Sequence, residues 1–185
     1  MDKLLFCGID EAGRGPLAGP LYIAGVVLHR TIEGLGDSKK LTEKKRETLF
    51  EEILRHSTYH IARFDALMID KLGLSACLAQ GLREIMSAIG EAEYLYDGNS
   101  TFGVNGLKTL VKADATVAEV GAASILAKVS RDREMVQLSA LYPQYGFENH
   151  KGYGAASHIE AIRQHGYCEI HRKTFKLKAL QPTLF

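Results

Sequence analysis

Short apolar stretches alternate with longer amphipathic ones along the chain, which leaves few architectures open to it. The patterns predict strands at residues 4–9, 21–29, 59–64, 94–96 and 107–111. They predict helices after Thr42 and over residues 75–89, 116–141 and 157–165, with Thr42 and Ser75 as N-caps and Gly166 as a C-cap. We expect the first two strands to pair antiparallel. The sequence thus predicts an α/β fold, a mixed central sheet flanked by helices.

Charge and cysteine content narrow the class of protein. The chain of 185 residues has 23 Lys and Arg against 22 Asp and Glu, so any nucleic-acid site must be a local patch. The three cysteines are far apart and form no C-x-x-C motif, which excludes a disulfide framework and a thiolate zinc site. The longest apolar run, residues 21–28, is too short to cross a bilayer. We expect a cytoplasmic protein with no membrane partner.

Acidic residues stand where the predicted strands end. Asp10 and Glu11 follow the first strand, Asp97 follows the fourth, and Asp114 comes shortly after the fifth. Ligands of open α/β sheets lie beyond strand ends, so neighbouring strands would bring these four carboxylates together. For Asp97 and Asp114 taken singly, a role as turn or cap residue is the stronger alternative. Asp10 and Glu11, directly before a glycine-rich loop, have no such capping role.

Converging carboxylates need a proton or a cation between them. Two like charges about 4 Å apart repel by about 4 kcal/mol at an effective dielectric constant near 20. Carboxylate oxygens suit Mg²⁺ or Mn²⁺, and the sequence has no Cys/His cluster that competes for zinc. Two such ions can assist the attacking water and the leaving oxygen of a phosphodiester.

The glycine loop that follows is ambiguous by itself. Gly13, Gly15 and Gly19 come close to a dinucleotide-binding pattern, but Pro16 and the lack of a following helix argue against that interpretation. The loop offers exposed backbone and one guanidinium, Arg14, to a phosphate or a sugar hydroxyl. The alternative is a plain tight turn.

The motifs taken together resemble those of the ribonuclease HII family of bacteria. The matching blocks come in family order at residues 8–20 (GIDEAGRGPLAGP), 37–41 (DSKKL), 97–99 (DGN), 112–114 (KAD), 122–132 (AASILAKVSRD), 150–154 (HKGYG) and 171–175 (HRKTF). The resemblance implies a ribonuclease H-like fold. It also implies an endonuclease that cuts the RNA strand of RNA–DNA hybrids and cleaves 5′ of a single ribonucleotide in duplex DNA, leaving 3′-hydroxyl and 5′-phosphate ends.

The resemblance also assigns roles to residues. Asp10, Glu11, Asp97 and Asp114 would be the catalytic, metal-binding carboxylates for Mn²⁺ or Mg²⁺, with Asp10 bridging two ions. The residues implied to bind substrate are Gly13, Arg14, Gly15, Ser38, Lys39, Lys151, Tyr153 and Arg172. Tyr153 would abut the sugar at the RNA–DNA junction, where the 2′-hydroxyl alone distinguishes RNA from DNA. One position departs from the family, since Ala155 stands where a threonine is usual after residues 152–154.

The last residues suggest a partner. Residues 181–185 (QPTLF) resemble the short peptide by which bacterial repair proteins bind the replication sliding clamp, with Gln181, Leu184 and Phe185 as the contacts. The alternative is a tail that is frayed or folded on the body. We therefore expect a catalytic domain over residues 1–178 and a tail over 179–185, and a monomer as the default state.

Two other functions are compatible with the same fold. One is a catalytically silent nucleic-acid-binding adaptor, against which the costly acidic cluster argues. The other is a DNA-directed nuclease with the same carboxylate chemistry, against which the glycine loop and Tyr153 argue. Cleavage of a duplex with one ribonucleotide, compared with an all-DNA duplex, separates all three.

Overall fold

The computed structural model describes residues 5–35 and 40–176 and contains a five-stranded mixed sheet. The strands are β1 (Leu5–Ala12), β2 (Leu21–Leu28), β3 (Ser57–Phe64), β4 (Ala92–Asp97) and β5 (Leu107–Leu110), in the order β3-β2-β1-β4-β5. β1 pairs antiparallel with β2, as predicted, and β2 antiparallel with β3. β4 is parallel to both β1 and β5. The predicted α/β fold with a mixed central sheet is confirmed.

Helices cover both faces of the sheet. They are α1 (Glu43–Arg55), α2 (Ala66–Leu72), α3 (Leu74–Ile89), α4 (Ala118–Leu141), α5 (Phe147–His150) and α6 (Ala156–His165). One apolar cluster joins α3 to one face of the sheet, and a second joins α1 and α4 to the other face. A third cluster packs the segment around Leu17 against the last turns of α4 and against α6. No helix within the described residues is long and apolar enough to cross a membrane.

The long helix α4 crosses β1 at a backbone contact. A Cβ atom built on Gly8 would lie 2.3 Å from the backbone nitrogen of Val120, so only glycine allows this approach. The small side chains that follow, Ala122 and Ala123, are fully buried against the sheet. The close packing brings the first turns of α4 next to the end of β1, where the acidic residues lie.

The helices differ from the predictions mainly at α2 and α3; α5 was also not predicted, and α4 and α6 begin within two residues of their predicted starts. Helix α2 was not predicted, although Asp65 caps it by accepting a hydrogen bond from the Met68 nitrogen at 2.8 Å. Gly73 then ends α2 and begins α3, its carbonyl accepting from the Cys77 nitrogen. The predicted N-cap, Ser75, therefore lies inside the first turn of α3. Thr42 and Gly166 cap α1 and α6 as predicted.

Candidate active site

The acidic residues of β1 lie inside the strand rather than after it. Pairing between β1 and β2 continues to Ala12, so Asp10 and Glu11 point to opposite faces of the sheet. Ile9 is aligned with Tyr96 of β4, and both are buried in the cluster under α3. Asp10 and the residue after Tyr96 consequently share the face that α4 covers.

Asp97, that next residue, positions the loop that carries Asp114. Its Oδ1 accepts a hydrogen bond from the Lys112 nitrogen at 2.9 Å, and its Oδ2 accepts one from the Asp114 nitrogen at 3.2 Å. Lys112 adopts a left-handed conformation with φ of 60°, which turns the chain toward the strand ends. Asp97 therefore has the turn-forming role that its sequence context allows, and it also lies beside the other acids.

Three carboxylates meet at this edge of the sheet. Asp10, Asp97 and Asp114 each place one oxygen within 4.8 Å of the others, and we call them the carboxylate cluster. Asp10 and Asp114 are buried and Asp97 is half-buried. Burial, together with the neighbouring Glu11 carboxylate, raises the pKa of Asp10 well above its usual value. A divalent cation would remove this repulsion, and an all-oxygen donor set suits Mg²⁺ or Mn²⁺.

Glu11 lies outside the carboxylate cluster because it points to the other face of the strand. Its Oε1 accepts a hydrogen bond from Arg14 at 3.3 Å, and burial raises the pKa of its carboxyl group. The buried Tyr96 hydroxyl interacts with this carboxyl group and lowers its pKa, and Oε2 has no further partner among the described residues. A buried carboxylate with so few donors also fits a site that is completed by a cation.

One cleft joins these acids to the predicted substrate residues. Asp10 and Glu11 line it together with the loop at residues 12–15 and with Tyr153, which is 45% exposed. A Cβ atom on Gly15 would lie 4.0 Å from the Tyr153 ring, so the loop and the ring are neighbours. The cleft is where the sequence predicted nucleic acid to bind.

Two further residues of the cleft were missed by the sequence reasoning. Ser124 and Lys128 of α4 line it, one helical turn apart on the same face. Ser124 hydrogen-bonds Asp10, which lowers the pKa of that carboxyl and partly offsets its burial. Lys128 pairs with Asp132 at 2.9 Å. Their spacing within the block at residues 122–132 was a usable signal.

Two buried arginines support the glycine loop from below. Arg131 donates to the carbonyl oxygens of Pro20 at 2.9 Å and Lys151 at 2.9 Å, and its guanidinium lies 5.5 Å from the centre of the Tyr153 ring. Gly13 packs directly on this side chain, with φ of 97° and with no room for a Cβ atom, which would lie 2.3 Å from Arg131 Nε.

Arg172 is the second of these arginines, and it differs from its prediction as a residue that touches substrate. It is 1% exposed and donates to the carbonyl oxygens of Gly13, Arg14 and Gly19 at 2.7 to 3.1 Å. Its donors are directed at the loop, so it supports the shape of the loop. A guanidinium that organises backbone carbonyls has no sequence pattern that separates it from one that binds phosphate.

The remaining predicted residues lie around the cleft or outside the described chain. Arg14 and Gly15 are exposed on the loop. The Lys151 amine donates to the Glu148 carbonyl. Ala155 is the N-cap of α6 and makes no side-chain cap, so the hydroxyl that the family usually has there is missing from a helix end. Outside the described residues lie Ser38, Lys39, Gln181, Leu184 and Phe185.

Comparisons with known proteins agree with this geometry. A sequence model of ribonuclease HII matches residues 7–178. Ribonuclease HII of Sulfurovum sp. (strain NBC37-1) is 59% identical over 180 residues, covering 97% of this chain and 96% of that protein. Among solved structures, ribonuclease HII in the PCNA:RNase HII complex from Archaeoglobus fulgidus superposes with a TM-score of 0.80 at 28% identity, over 98% of both chains. Ribonuclease H2 from Pyrococcus horikoshii OT3 gives 0.74 at 29% identity, over 92% of this chain and 93% of that one.

These matches confirm the predicted resemblance and its enzymatic class. They span nearly the whole chain and include the carboxylate cluster, which fits the divalent-metal dependence of the family. The chain belongs to the ribonuclease HII family, whose members are endonucleases that hydrolyse the RNA strand of RNA–DNA hybrids.

Proposed function

We propose that this enzyme also cleaves duplex DNA on the 5′ side of a single ribonucleotide, by two-metal-ion hydrolysis that leaves 3′-hydroxyl and 5′-phosphate ends. The observation that carries the proposal is the shared cleft. Asp10, Glu11, the loop at residues 13–15 and Tyr153 all line it. Hydrolytic and ribose-reading groups therefore face the same few nucleotides.

The carboxylates would hold divalent cations, which would bind the reacting phosphate. Asp10, Asp97 and Asp114 each place one oxygen within 4.8 Å of the others, and Glu11 adds a buried oxygen from the other side of β1. Two divalent ions held there would activate a water molecule and stabilise the leaving oxygen. Asp97 fixes the loop of Asp114 through two backbone hydrogen bonds, so the donor set is pre-organised before any ion binds.

The glycine loop and the neighbouring Tyr153 ring would recognise the ribonucleotide. The loop at residues 13–15 presents backbone and the Arg14 side chain at the surface of the cleft. Tyr153 presents an exposed aromatic face next to Gly15, suited to packing on a sugar. Buried Arg131 and Arg172 fix the loop, so a 2′-hydroxyl meets a rigid surface.

Cations around the cleft would follow the phosphates on either side. Lys128 lines the cleft, and Lys151 lies two residues before Tyr153. We include Ser38 and Lys39, which lie outside the described residues, on the basis of the family resemblance. Such contacts predict binding that weakens steeply as salt rises.

The test is a cleavage assay on end-labelled duplexes. A DNA duplex with one ribonucleotide, an all-DNA duplex and an RNA–DNA hybrid are incubated with Mg²⁺, Mn²⁺ or chelator. We expect metal-dependent cutting 5′ of the ribonucleotide and none in the all-DNA duplex. Cutting both DNA duplexes equally would indicate a DNA-directed nuclease, and tight binding without cutting would indicate an adaptor.

Matched variants separate the role of the carboxylates from that of the glycine loop and Tyr153. Asp10→Asn should abolish cutting of every substrate, whereas the exposed Glu52→Gln should leave it unchanged. Arg14→Ala and Tyr153→Ala should reduce the preference for the ribonucleotide more than they reduce metal binding. Unaltered preference in both variants would contradict the roles proposed for the loop and the ring.

We further propose that residues 181–185 tether the enzyme to a sliding clamp. Support comes from the peptide pattern at Gln181, Leu184 and Phe185 and from the Archaeoglobus fulgidus relative, which was solved as a PCNA:RNase HII complex. Deleting residues 181–185 should abolish binding to the bacterial clamp in a pull-down with purified proteins while leaving cleavage of short duplexes intact. Undiminished clamp binding by the truncated chain would disprove the tether.

A further inference from the structure

Two buried histidines lie directly beneath Tyr153. His158 of α6 and His171 are 0% and 1% exposed, and their Nε2 atoms are 3.0 Å apart. His158 Nδ1 lies 2.8 Å from the carbonyl oxygen of Tyr153. His171 Nδ1 lies 2.9 Å from the backbone nitrogen of Cys168. The two rings thus form a hydrogen-bonded chain from Cys168 to Tyr153.

The two ends of this chain dictate where its protons lie. The Cys168 backbone N–H can only donate, so His171 accepts it at Nδ1 and carries its own proton on Nε2. That proton is donated to His158 Nε2, which leaves the His158 proton on Nδ1. The Tyr153 carbonyl can only accept, and it receives this last proton. A neutral pair therefore satisfies every bond in one arrangement of tautomers.

A third histidine binds the backbone one residue before Tyr153. His150 accepts from the Gly152 backbone nitrogen at Nδ1, at 3.2 Å, and its Nε2 bonds the Tyr145 carbonyl at 2.9 Å. Its ring stacks on His158 with centroids 4.5 Å apart and planes 11° apart. The imidazoles thus bind the Gly152 N–H and the Tyr153 carbonyl, and this carbonyl also accepts from the Ala155 nitrogen at 2.8 Å. The peptide between Gly152 and Tyr153 is held by backbone groups, since the Tyr153 N–H donates to the His150 carbonyl at 2.9 Å.

We propose that His158 and His171 are positioning residues for hydrolysis, a neutral imidazole pair that holds the Tyr153 main chain so that its ring faces the cleft. The inference rests on the proposed role of Tyr153. It predicts that either histidine acts on the reaction only through Tyr153. It also predicts that a proton added to either ring breaks the chain, because an N–H would then face another N–H at one of its links.

The surroundings keep the pair neutral. The groups that face it are His150 and Tyr145 from one side and Tyr167, Cys168 and Lys173 from the other. None of these carries a negative charge at neutral pH, while Glu148 and Glu169 lie one step further out, beside His150 and Cys168 respectively. Burial lowers the pKa of His158, and burial with its neighbour lowers the pKa of His171 to about 4.

The first experiment reads the tautomers directly. Imidazole ¹⁵N chemical shifts of the full chain are recorded between pH 4 and pH 8. At pH 7 we expect a protonated Nε2 on His171 and a protonated Nδ1 on His158, both rings neutral. The reverse tautomers, or a charged ring at pH 7, would overturn the inference whatever the kinetics show.

The second experiment is a double-mutant cycle on an RNA–DNA hybrid, the substrate class of the family. His158→Phe should lower kcat/KM about tenfold, the value of one buried hydrogen bond at a positioned group. His158→Asn, whose amide nitrogen can replace Nδ1 as donor, should recover activity to within about threefold. In a Tyr153→Ala background, His158→Phe should have no further effect. The distant His29→Phe is the control.

Additive effects in this cycle would overturn the inference, since His158 would then act independently of Tyr153. Wild-type kcat/KM in folded His158→Phe would overturn it as well. If the wild-type enzyme cuts the hybrid but not the DNA duplex with one ribonucleotide, the proposed function is contradicted but the histidine pair is not. If His158→Phe does not fold, the tautomers and His158→Asn still decide the question.

Discussion

Two buried polar regions lie near the cleft, and they differ in how their buried charges and hydrogen-bonding groups are satisfied. The carboxylate cluster gathers like charges whose repulsion the protein does not remove by itself. The underside of the loop, which we define as Arg131, Arg172, His158 and His171, is nearly self-sufficient, because backbone carbonyls accept most of its donors. A buried polar region whose charges the protein leaves unsatisfied can bind a ligand, whereas one whose groups are satisfied within the protein stabilises local structure.

The largest effect should come from removing one charge of the carboxylate cluster. Asp10→Asn should lower hybrid cleavage by about a thousandfold or more, because a divalent ion contributes several kcal/mol of charge stabilisation. The same variant should be at least as stable as wild type without metal, since a repulsion is lost. Rates and urea unfolding in chelator measure the two. Strong destabilisation would show that Asp10 also supports the fold.

On the underside of the loop, a substitution should lower the free energy of unfolding, whereas in the carboxylate cluster the main effect is on the cleavage rate. Arg172→Gln should lower the free energy of unfolding by about 3 kcal/mol, because several buried carbonyls lose their donors. Urea unfolding measures this, with Arg30→Gln as a control at an exposed ion pair that should change stability by less than about 1 kcal/mol. Equal stability of the two variants would remove the contrast between the regions.

The two regions should respond to pH with opposite sign. Raised pKa values of Asp10 and Glu11 mean that the folded protein binds more protons than the unfolded chain above about pH 4. Their contribution to the stability of the metal-free protein is therefore lost as pH rises through the folded pKa values. The free energy of unfolding falls by up to about 1.4 kcal/mol per pH unit for each carboxyl. The stability difference between wild type and Asp10→Asn should accordingly shift in favour of the variant as pH rises. A stability difference that does not change with pH would contradict the raised pKa of Asp10.

For the histidines the sign reverses. The pKa of His171 is lowered to about 4, so the unfolded chain binds the extra proton between about pH 6.5 and 4. Stability is complete above that window and falls by up to about 3 kcal/mol as pH drops through it. His171→Asn should flatten this slope in urea titrations of metal-free protein. A slope that survives in the variant would assign the loss to other groups.

The smallest effect concerns the helix that carries His158. Ala155→Thr should raise the free energy of unfolding by about 1 kcal/mol, because the N-cap of α6 gains a hydroxyl acceptor. Thermal unfolding checks the gain, and Ala156→Thr is the matched control one residue inside the helix. An unchanged melting temperature would mean that water already satisfies this helix end.

Much of the fold and part of the site could be predicted from the sequence. The alternation of strands and helices indicated the mixed sheet, and the acids at strand ends indicated a cluster. The place of Glu11 was not predictable in the same way. Two acids adjacent in sequence look equivalent, but pairing to Ala12 extends β1 and sends their side chains to opposite faces.

The underside of the loop shows which residue roles a local sequence pattern cannot predict. Arg172 had no pattern that distinguished support from substrate contact, because the carbonyls that it binds belong to Gly13, Arg14 and Gly19 at the other end of the chain. The three histidines bond nearby backbone groups and each other, and histidine spacing alone does not predict such bonds. The sequence by itself determined the chemistry available to this protein, since residue types and strand periodicity are local properties. Only the tertiary structure decided which charges converge and which are neutralised, because burial and hydrogen bonding depend on neighbours that the fold brings together.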